Sequence, residues 1–146
     1  MCKTAYDEAY FDSMIQKTRY LFKLIGRNTK NPFQVIEDYM KSCYRRNMDQ
    51  GNPLYLNKTP KQILETLGIK IKVEFEISEE FDESVLVWMA DIYTYIQWKY
   101  SIPSERIADK IMPQKLYEKY SPLHEASLEN SADKLVKIYQ LNEKIR

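Results

Sequence analysis

The most distinctive hydrophobic pattern in the chain lies in residues 85–100, where apolar and aromatic side chains follow one another almost without interruption. The polar exceptions Asp91, Thr94 and Gln97 recur at every third position, so on a helix they form one narrow polar stripe. A helix with so much apolar surface must be surrounded, either by the rest of the chain or by a partner. The pattern therefore predicts a buried central helix that ends around Ser101, because the following Ile102-Pro103 cannot continue it.

Residues 1–51 predict a helical hairpin. Apolar positions recur at helical spacing over residues 6–25, and Gly26 is expected to end the first helix there. A second helix is predicted from Pro32, with Asn31 as its cap, to about residue 51. Cys43 lies on the apolar face of this second helix, which predicts an inert core thiol.

A small β element is expected near the middle of the chain. Residues 69–77 alternate apolar and charged side chains, which is the pattern of a strand with one buried face. A lone strand leaves its backbone hydrogen bonds unmade, so it needs a partner. Two partners are open: the short extended piece 54–56, or a second copy of the chain in a homodimer. Between the two segments, residues 59–62 have the sequence of a capping box and begin a short helix that stops at Gly68.

The rest of the chain is predicted to be helical, over residues 104–112, 113–120 and 121–141. The fold class is therefore mainly α: one compact domain of about six helices, with a small β element near residues 54–56 and 69–77. Its expected parts are a basic helical hairpin at 1–51, a short β/α element at 52–78 and an acidic, aromatic-rich helical half at 79–146.

Charge is distributed unevenly although the net charge is only +1. Residues 1–72 contain thirteen basic and seven acidic side chains, and residues 73–146 contain nine basic and fourteen acidic ones. If the two halves fold against each other, this asymmetry is cancelled internally; otherwise the molecule has one basic and one acidic face. The most acidic stretch, residues 74–83, holds six carboxylates. It has no glycine and no D-x-D-x-D-G pattern, so we interpret it as a solvated or partner-docking segment rather than a Ca²⁺ site.

Patterns of catalysis are scarce. The single histidine, His124, is placed in the first turn of the last predicted helix and has no triad-like companion. Cys2 and Cys43 lack the spacing of metal ligands, and three isolated glycines cannot form a phosphate-binding loop. The sequence therefore predicts a non-enzymatic protein with no cofactor and no metal. The remaining alternative is an enzyme that uses His124 with Glu125 or Asp91.

The expected location is the cytoplasm, without a membrane partner. The N-terminus has no apolar core of signal-peptide length and carries acidic residues early. The apolar run at 85–100 is shorter than the roughly 20 residues that a membrane-spanning helix needs.

The segment from Trp88 to Leu135 combines the aromatic spacing of WMADIYTY with a following SERIADKI and a histidine shortly after Tyr120. In this it resembles a group of small helical proteins found in mobile or toxin–antitoxin-type gene neighbourhoods of Gram-positive bacteria. The positions that carry the resemblance are Trp88, Tyr93, Tyr95, Ser104, Ile107 and His124. The resemblance brings no catalytic motif and implies an antitoxin-like role in binding another protein.

We therefore predict a macromolecule-binding protein, antitoxin-like or an adaptor, that covers a basic surface of a partner protein with aromatic and acidic side chains. The predicted partner-binding residues are Glu79, Glu80, Asp82, Glu83, Trp88, Tyr95 and His124. The alternative is a DNA-binding regulator with a helix–turn–helix-like segment at 103–120 and a basic patch at 41–61. Its predicted nucleic-acid-binding residues are Lys41, Arg45, Arg46, Lys115 and Lys119.

Overall fold

The computed structural model describes residues 4–68 and 81–141, and these ranges contain eight α-helices and one short 3-10 helix. In chain order the helices are α1 Glu8–Asn28, α2 Pro32–Met40, α3 Cys43–Asp49, the 3-10 helix Pro53–Asn57, α4 Pro60–Thr66, α5 Glu83–Tyr100, α6 Ser104–Lys110, α7 Pro113–Leu123 and α8 Leu128–Ile138. The mainly α prediction is confirmed, with more helices than the six expected. None of the described helices is both long and apolar enough to cross a membrane. The predicted strand 69–77 lies outside the described residues. Within residues 4–68 and 81–141 no strand is present.

Helix α5 is the centre of the fold, because α1, α6, α7 and α8 all pack against it. Asp82 begins it by accepting a hydrogen bond from Ser84 N at 2.9 Å, and Ser101 ends it in the left-handed conformation with φ 52°. Most of its side chains are buried; those of Leu86 and Tyr93 are completely enclosed. The prediction of a buried central helix is confirmed, and four other helices of the chain cover most of it.

The prediction that Gly26 ends the first helix is wrong. Gly26 lies inside α1, which continues to Asn28. A Cβ atom at Gly26 would lie 2.5 Å from Leu86 Cδ1 on α5. Real Cβ atoms do not approach other atoms so closely, so glycine is present here because α1 and α5 touch. The glycine thus has a packing role rather than a stop role.

Ion pairs join the basic and the acidic halves of the chain. They are Arg19–Asp91, Arg27–Glu83, Lys41–Asp109 and Arg46–Glu105. The order of the first two pairs shows that α1 and α5 are antiparallel. Much of the charge asymmetry is therefore cancelled inside the molecule, as expected if the two halves fold against each other.

The second predicted helix is in fact two helices, because Ser42 begins a new one. Ser42 is extended, with ψ 154°, and its hydroxyl accepts a hydrogen bond from Arg45 N at 3.1 Å. This cap interrupts the helix expected to reach residue 51. The change of direction also takes Cys43 off the apolar face of α2, so its thiol is exposed and not in the core.

The piece 54–56 is helical and not extended, contrary to the prediction. Asn52 accepts a hydrogen bond from Leu54 N at 3.1 Å, and Pro53 occupies the first position of the 3-10 helix. An asparagine cap followed by proline also begins many α-helices. Here the two residues favour a helical turn over an extended strand. The capping box at 59–62 is confirmed in both of its hydrogen bonds.

The last two helices are divided differently from the prediction. Helix α7 continues through Pro122 to Leu123, and α8 begins after Ser127, whose hydroxyl accepts a hydrogen bond from Asn130 N at 3.1 Å. Ser127 rather than Ser121 is the cap of the final helix. His124 consequently follows the end of α7, and it is not in the first turn of a helix.

Candidate interaction surface

The polar side chains of α5 face a buried arginine. Arg45, on α3, has no exposed surface, and its guanidinium is enclosed by five helices: α1, α2, α3, α5 and α6. It donates hydrogen bonds to Asp49 Oδ1 at 3.2 Å, Ser104 Oγ at 2.9 Å, Thr18 Oγ1 at 3.1 Å, Tyr39 OH at 3.1 Å and Thr94 Oγ1 at 3.3 Å. A buried charge is stable only when it is paired and hydrogen-bonded in this way.

Asp49 is the counter-charge of this network. Its carboxylate accepts hydrogen bonds from Ser104 N at 2.7 Å and Ser104 Oγ at 2.6 Å in addition to Arg45. Burial raises the pKa of the Asp49 carboxyl, whereas the charge of Arg45 and the bonds from Ser104 act in the opposite direction. Arg45, which the sequence predicts as a nucleic-acid contact, is enclosed in this core and cannot reach a phosphate.

A cleft of about 590 Å³ lies beside the network, between residues 4–5, α3, the end of α5 and the start of α6. Arg46 and Glu105 line it and form an ion pair at 3.3 Å. Gln97 also lines it, but this side chain donates to Asp49 O at 3.2 Å and accepts from Tyr6 OH at 2.6 Å. The side chains of Arg46, Glu105 and Gln97 are thus already bound to other groups of the chain. Among the described residues, no three side chains of metal-binding type lie close enough to hold an ion.

The partly exposed side of α5 is aromatic rather than polar. Thr94 and Gln97, from the predicted polar stripe, are buried, whereas Trp88, Tyr95 and Trp98 are only partly buried. Asp91 is the exception in the stripe: it lies at the α1 interface and accepts hydrogen bonds from Arg19 at 2.5 and 3.0 Å. The helix therefore directs its uncharged polar groups inward and presents rings outward.

Rings from α2, from residues 81–88 and from α7 form two groups, which are neighbours on α7 because Tyr117 and Tyr120 lie three residues apart there. Trp88 meets Tyr120 edge to face at 5.5 Å between centroids, and Tyr120 stacks on His124 at 4.3 Å. In the other group, Phe33 of α2, Phe81 and Tyr117 of α7 contact one another, with ring centroids 5.3–6.2 Å apart. We call these six rings the aromatic strip: Trp88, Tyr120, His124, Phe33, Phe81 and Tyr117. All six are at least partly exposed.

His124 belongs to the strip because its ring stacks on that of Tyr120. Its Nδ1 lies 2.9 Å from Tyr120 O and 3.2 Å from Ser121 O. Because a carbonyl oxygen only accepts hydrogen bonds, Nδ1 carries a proton in these contacts. The side chain therefore closes the end of α7, where its proton satisfies helix carbonyl groups.

Tyr95 lies on the same side of α5 as Trp88, two helical turns further along. Its ring packs edge-on against Phe11 and Trp98, with centroids 6.1 and 5.9 Å away. Lys99 Nζ lies 5.7 Å from the centre of the Tyr95 ring and 3.0 Å from Glu129 Oε1. A cation is thus held between an aromatic face and a carboxylate on the outer side of α5.

The acidic residues predicted to bind a partner have different environments. Asp82 is exposed and caps α5, while Glu83 forms two hydrogen bonds with the guanidinium of Arg27. Glu79 and Glu80 lie outside the described residues. Glu83 therefore has a structural partner already, and Asp82 is the exposed carboxylate of the described part of this stretch.

The basic residues predicted for DNA binding do not form one free surface. Lys41 lies 3.2 Å from Asp109 and 3.5 Å from Glu37, and Arg46 is paired with Glu105. Lys115 and Lys119 lie on a different helix, α7. Acidic side chains of α6 thus neutralise much of the patch at 41–61.

Comparison of the chain with protein-family models, with curated proteins and with solved structures gave no match. The sequence predicts two of the six rings of the strip, Trp88 and His124. The spacing of Tyr117, Tyr120 and His124, three and then four residues apart, is a helical-face signal that indicates two of the neighbouring rings. Phe33 and Phe81 reach the strip only through tertiary packing.

Proposed function

We propose that this protein is a non-enzymatic, antitoxin-like or adaptor protein that binds another protein and occludes a basic surface on it. The observation that carries the proposal is the aromatic strip. Partly exposed aromatic rings are enriched in protein interfaces, where they provide large contact area at a low cost in side-chain entropy. Trp88 is the expected anchor, because tryptophan is the most frequent hot-spot residue.

The sign of the partner's charge follows from the acidic residues around the strip. Exposed Asp82 directly follows Phe81, and Glu79 and Glu80 directly precede it in sequence. Negative side chains beside an apolar surface favour a partner with basic residues around its own apolar contacts, and they accelerate the encounter. The resemblance of residues 88–135 to antitoxin-like proteins supports the same role.

Site-specific photo-crosslinking in the native host tests this proposal. A benzophenone amino acid replaces Ser84 in one variant and Leu54 in another. Ser84 is exposed and lies one turn before Trp88 on the same side of α5, so the probe leaves the rings of the strip intact. Leu54 is 71% exposed and lies on the 3-10 helix, which packs against α1 and α3. We expect one protein to be captured at position 84 and not at position 54. The captured protein is then purified and its affinity for the native chain is measured by calorimetry.

Two further measurements decide whether the strip is the binding surface. Tyr120→Ala and Trp88→Leu are expected to weaken binding by about 2 kcal/mol or more, whereas Leu54→Ala has little effect. If the purified partner has an activity, the native chain should inhibit it in proportion to the amount bound. Binding that is equally tight in the strip variants and in Leu54→Ala contradicts the proposal, as does capture at both positions.

A further inference from the structure

We propose that residues 4–6 form a strap that opens and closes as one unit while the helices stay folded, and that its opening gives water and small solutes access to the buried Arg45–Asp49 pair. The strap precedes α1 and lies across the ends of α3 and α5. The inference concerns the C-terminal end of α5, whereas Trp88 lies in its first half. It therefore does not depend on the proposed function.

Three hydrogen bonds join the strap to α5, and all of them involve two neighbouring residues of that helix. Ala5 N donates to Trp98 O at 2.8 Å, and Trp98 Nε1 donates to Tyr6 O at 2.7 Å. Tyr6 OH donates to Gln97 Oε1 at 2.6 Å. Because the bonds connect two such short stretches of chain, we expect them to form and break together.

The strap can leave α5 without disturbing the core. Its three residues are exposed or only partly buried, so it contributes no fully enclosed side chain. Trp98 O belongs to the last turn of α5, where carbonyl groups have no partner within the helix, and water can replace Ala5 N there. Asp7 caps α1 by accepting a hydrogen bond from Ala9 N at 2.8 Å, so α1 keeps its cap when the residues before it move. Segments with few buried contacts open at a lower free energy than the whole fold.

In the closed position the strap forms one wall of the cleft of about 590 Å³. Thr4 and Ala5 line this cleft, opposite the start of α6. Tyr6 packs closely on the end of α3, because a Cβ atom at Gly51 would lie 3.1 Å from Tyr6 Cβ. Opening of the strap therefore removes this wall and widens the cleft.

The widened cleft leads to the buried ion pair through Gln97. The side chain of Gln97 accepts a hydrogen bond from Tyr6 OH and donates one to Asp49 O at 3.2 Å. Burial raises the pKa of the Tyr6 hydroxyl, and the charges of Arg45 and Asp49 also act on it, so the hydroxyl lies close to the pair. Asp49 lines the cleft although its side chain is only 8% exposed. The strap thus covers the side from which water would reach this carboxylate.

Hydrogen exchange in the full chain, followed by NMR, tests whether the strap opens as a unit. The amide of Ala5 and the indole N–H of Trp98 report the strap, and the amide of fully buried Tyr93 reports unfolding of α5. We expect Ala5 and Trp98 to have one common protection factor, at least about tenfold lower than that of Tyr93. Urea below the unfolding transition should accelerate exchange at Tyr93 and leave the two strap reporters unchanged, because opening the strap exposes little surface. The variant Trp88→Phe identifies the indole signal of Trp98, since the chain has two tryptophans.

Two tyrosine variants with opposite expectations locate the effect. Tyr6→Phe removes the hydroxyl that binds Gln97 and should lower the protection of both strap reporters several-fold. Tyr10→Phe is the matched control, because it also removes a tyrosine hydroxyl, one that donates to Asn52 O, and its ring lies 4.7 Å from that of Tyr6. This control should leave both reporters unchanged. Urea denaturation of each variant measures the stability of the whole fold separately.

Chemical labelling tests the access to the ion pair. A water-soluble carbodiimide couples an amine to accessible carboxyl groups, and mass spectrometry gives the labelling rate of Asp49 relative to exposed Asp82. We expect Asp49 to be labelled several-fold faster in Tyr6→Phe than in the native chain and in Tyr10→Phe.

The opposite results overturn the inference. Strap reporters with the protection and the urea dependence of Tyr93 would show that residues 4–6 leave α5 only when the protein unfolds. Absence of protection, or unequal protection of Ala5 and Trp98, would show that there is no closed strap acting as a unit. An equal labelling rate of Asp49 in Tyr6→Phe and in the native chain would show that the strap does not control access to the pair.

Discussion

At the scale of single residues, the protein depends on a charge in its core. Arg45 and Asp49 are both buried, and removing two such charges from water costs several kcal/mol per ion before pairing. The cost is offset by geometry, because Thr18, Tyr39 and Ser104 supply oxygen atoms at 2.9–3.1 Å from the guanidinium. Such a network stabilises one arrangement of helices above others, since each partner comes from a different helix.

Replacing Arg45 with methionine tests this role. The change leaves Asp49 buried without its cation and removes the donor from four hydroxyl groups. We therefore expect a loss of about 3–5 kcal/mol in the free energy of unfolding. Denaturation by urea measures it. The double variant Arg45→Met/Asp49→Asn should recover part of the loss, because no unpaired charge then remains. If Arg45→Met is as stable as the native chain, the network does not hold the helices together.

At the scale of elements, the start of α5 separates two kinds of acidic residue. Asp82 stabilises the N-terminus of α5, because its side chain accepts a hydrogen bond from Ser84 N. Glu83 acts through an ion pair with Arg27 in which both side chains are mostly buried, 15% and 19% exposed. The acidic stretch that the sequence presents as one unit is therefore partly structural and partly exposed.

Neutralising the two residues should have different effects on stability. Glu83→Gln loses the ion pair with Arg27, and we expect a lower melting temperature and a loss of about 1 kcal/mol. Asp82→Asn should change stability by less than about 0.5 kcal/mol, since asparagine caps helices as well as aspartate does. Asp82→Ala is the control for the cap and should cost about 1 kcal/mol. Calorimetric melting curves at low salt measure all three, and equal effects of Glu83→Gln and Asp82→Asn would contradict this division.

The sequence predicts those elements whose ends are decided by neighbouring residues. The capping box of Thr59 and Gln62 and the end of α5 at Ser101 depend on local hydrogen bonds and backbone angles, and both are confirmed. The inward direction of Thr94 and Gln97 could not be predicted, because it depends on Arg45 and Asp49, which are distant in sequence. The aromatic side of α5 became the outer side for the same reason.

At the scale of the whole molecule, the tyrosines tie the helices together through their hydroxyl groups. Tyr10 OH donates to Asn52 O at 2.9 Å, and Tyr93 OH donates to Ile111 O at 2.6 Å. Burial raises the pKa of both groups, to about 12 for Tyr10 and well above the ordinary value for Tyr93. For Tyr100 burial and the hydrogen bond to Asp133 raise the pKa to about 12. The chain contains twelve tyrosines, so alkaline pH tests their packing collectively.

We expect the protein to lose stability as the pH rises above about 10. In the unfolded chain these tyrosines ionise near their ordinary pKa of 10.0, whereas Tyr10 and Tyr100 remain protonated in the folded state up to about 12. Between these values the folded state binds more protons than the unfolded state, so the free energy of unfolding falls with pH. The slope is at most about 1.4 kcal/mol per pH unit for each tyrosine whose pKa differs between the folded and unfolded states, and it is smaller for the partly exposed tyrosines because water screens them.

Urea denaturation at a series of pH values measures the slope, and tyrosinate absorbance should show a group that ionises only on unfolding. Tyr10→Phe removes one of these groups, so the slope should become less steep by up to about 1.4 kcal/mol per pH unit. A free energy of unfolding that is constant between pH 9 and 11, with all tyrosines ionising together in the folded protein, would show that their hydroxyl groups are not buried as described.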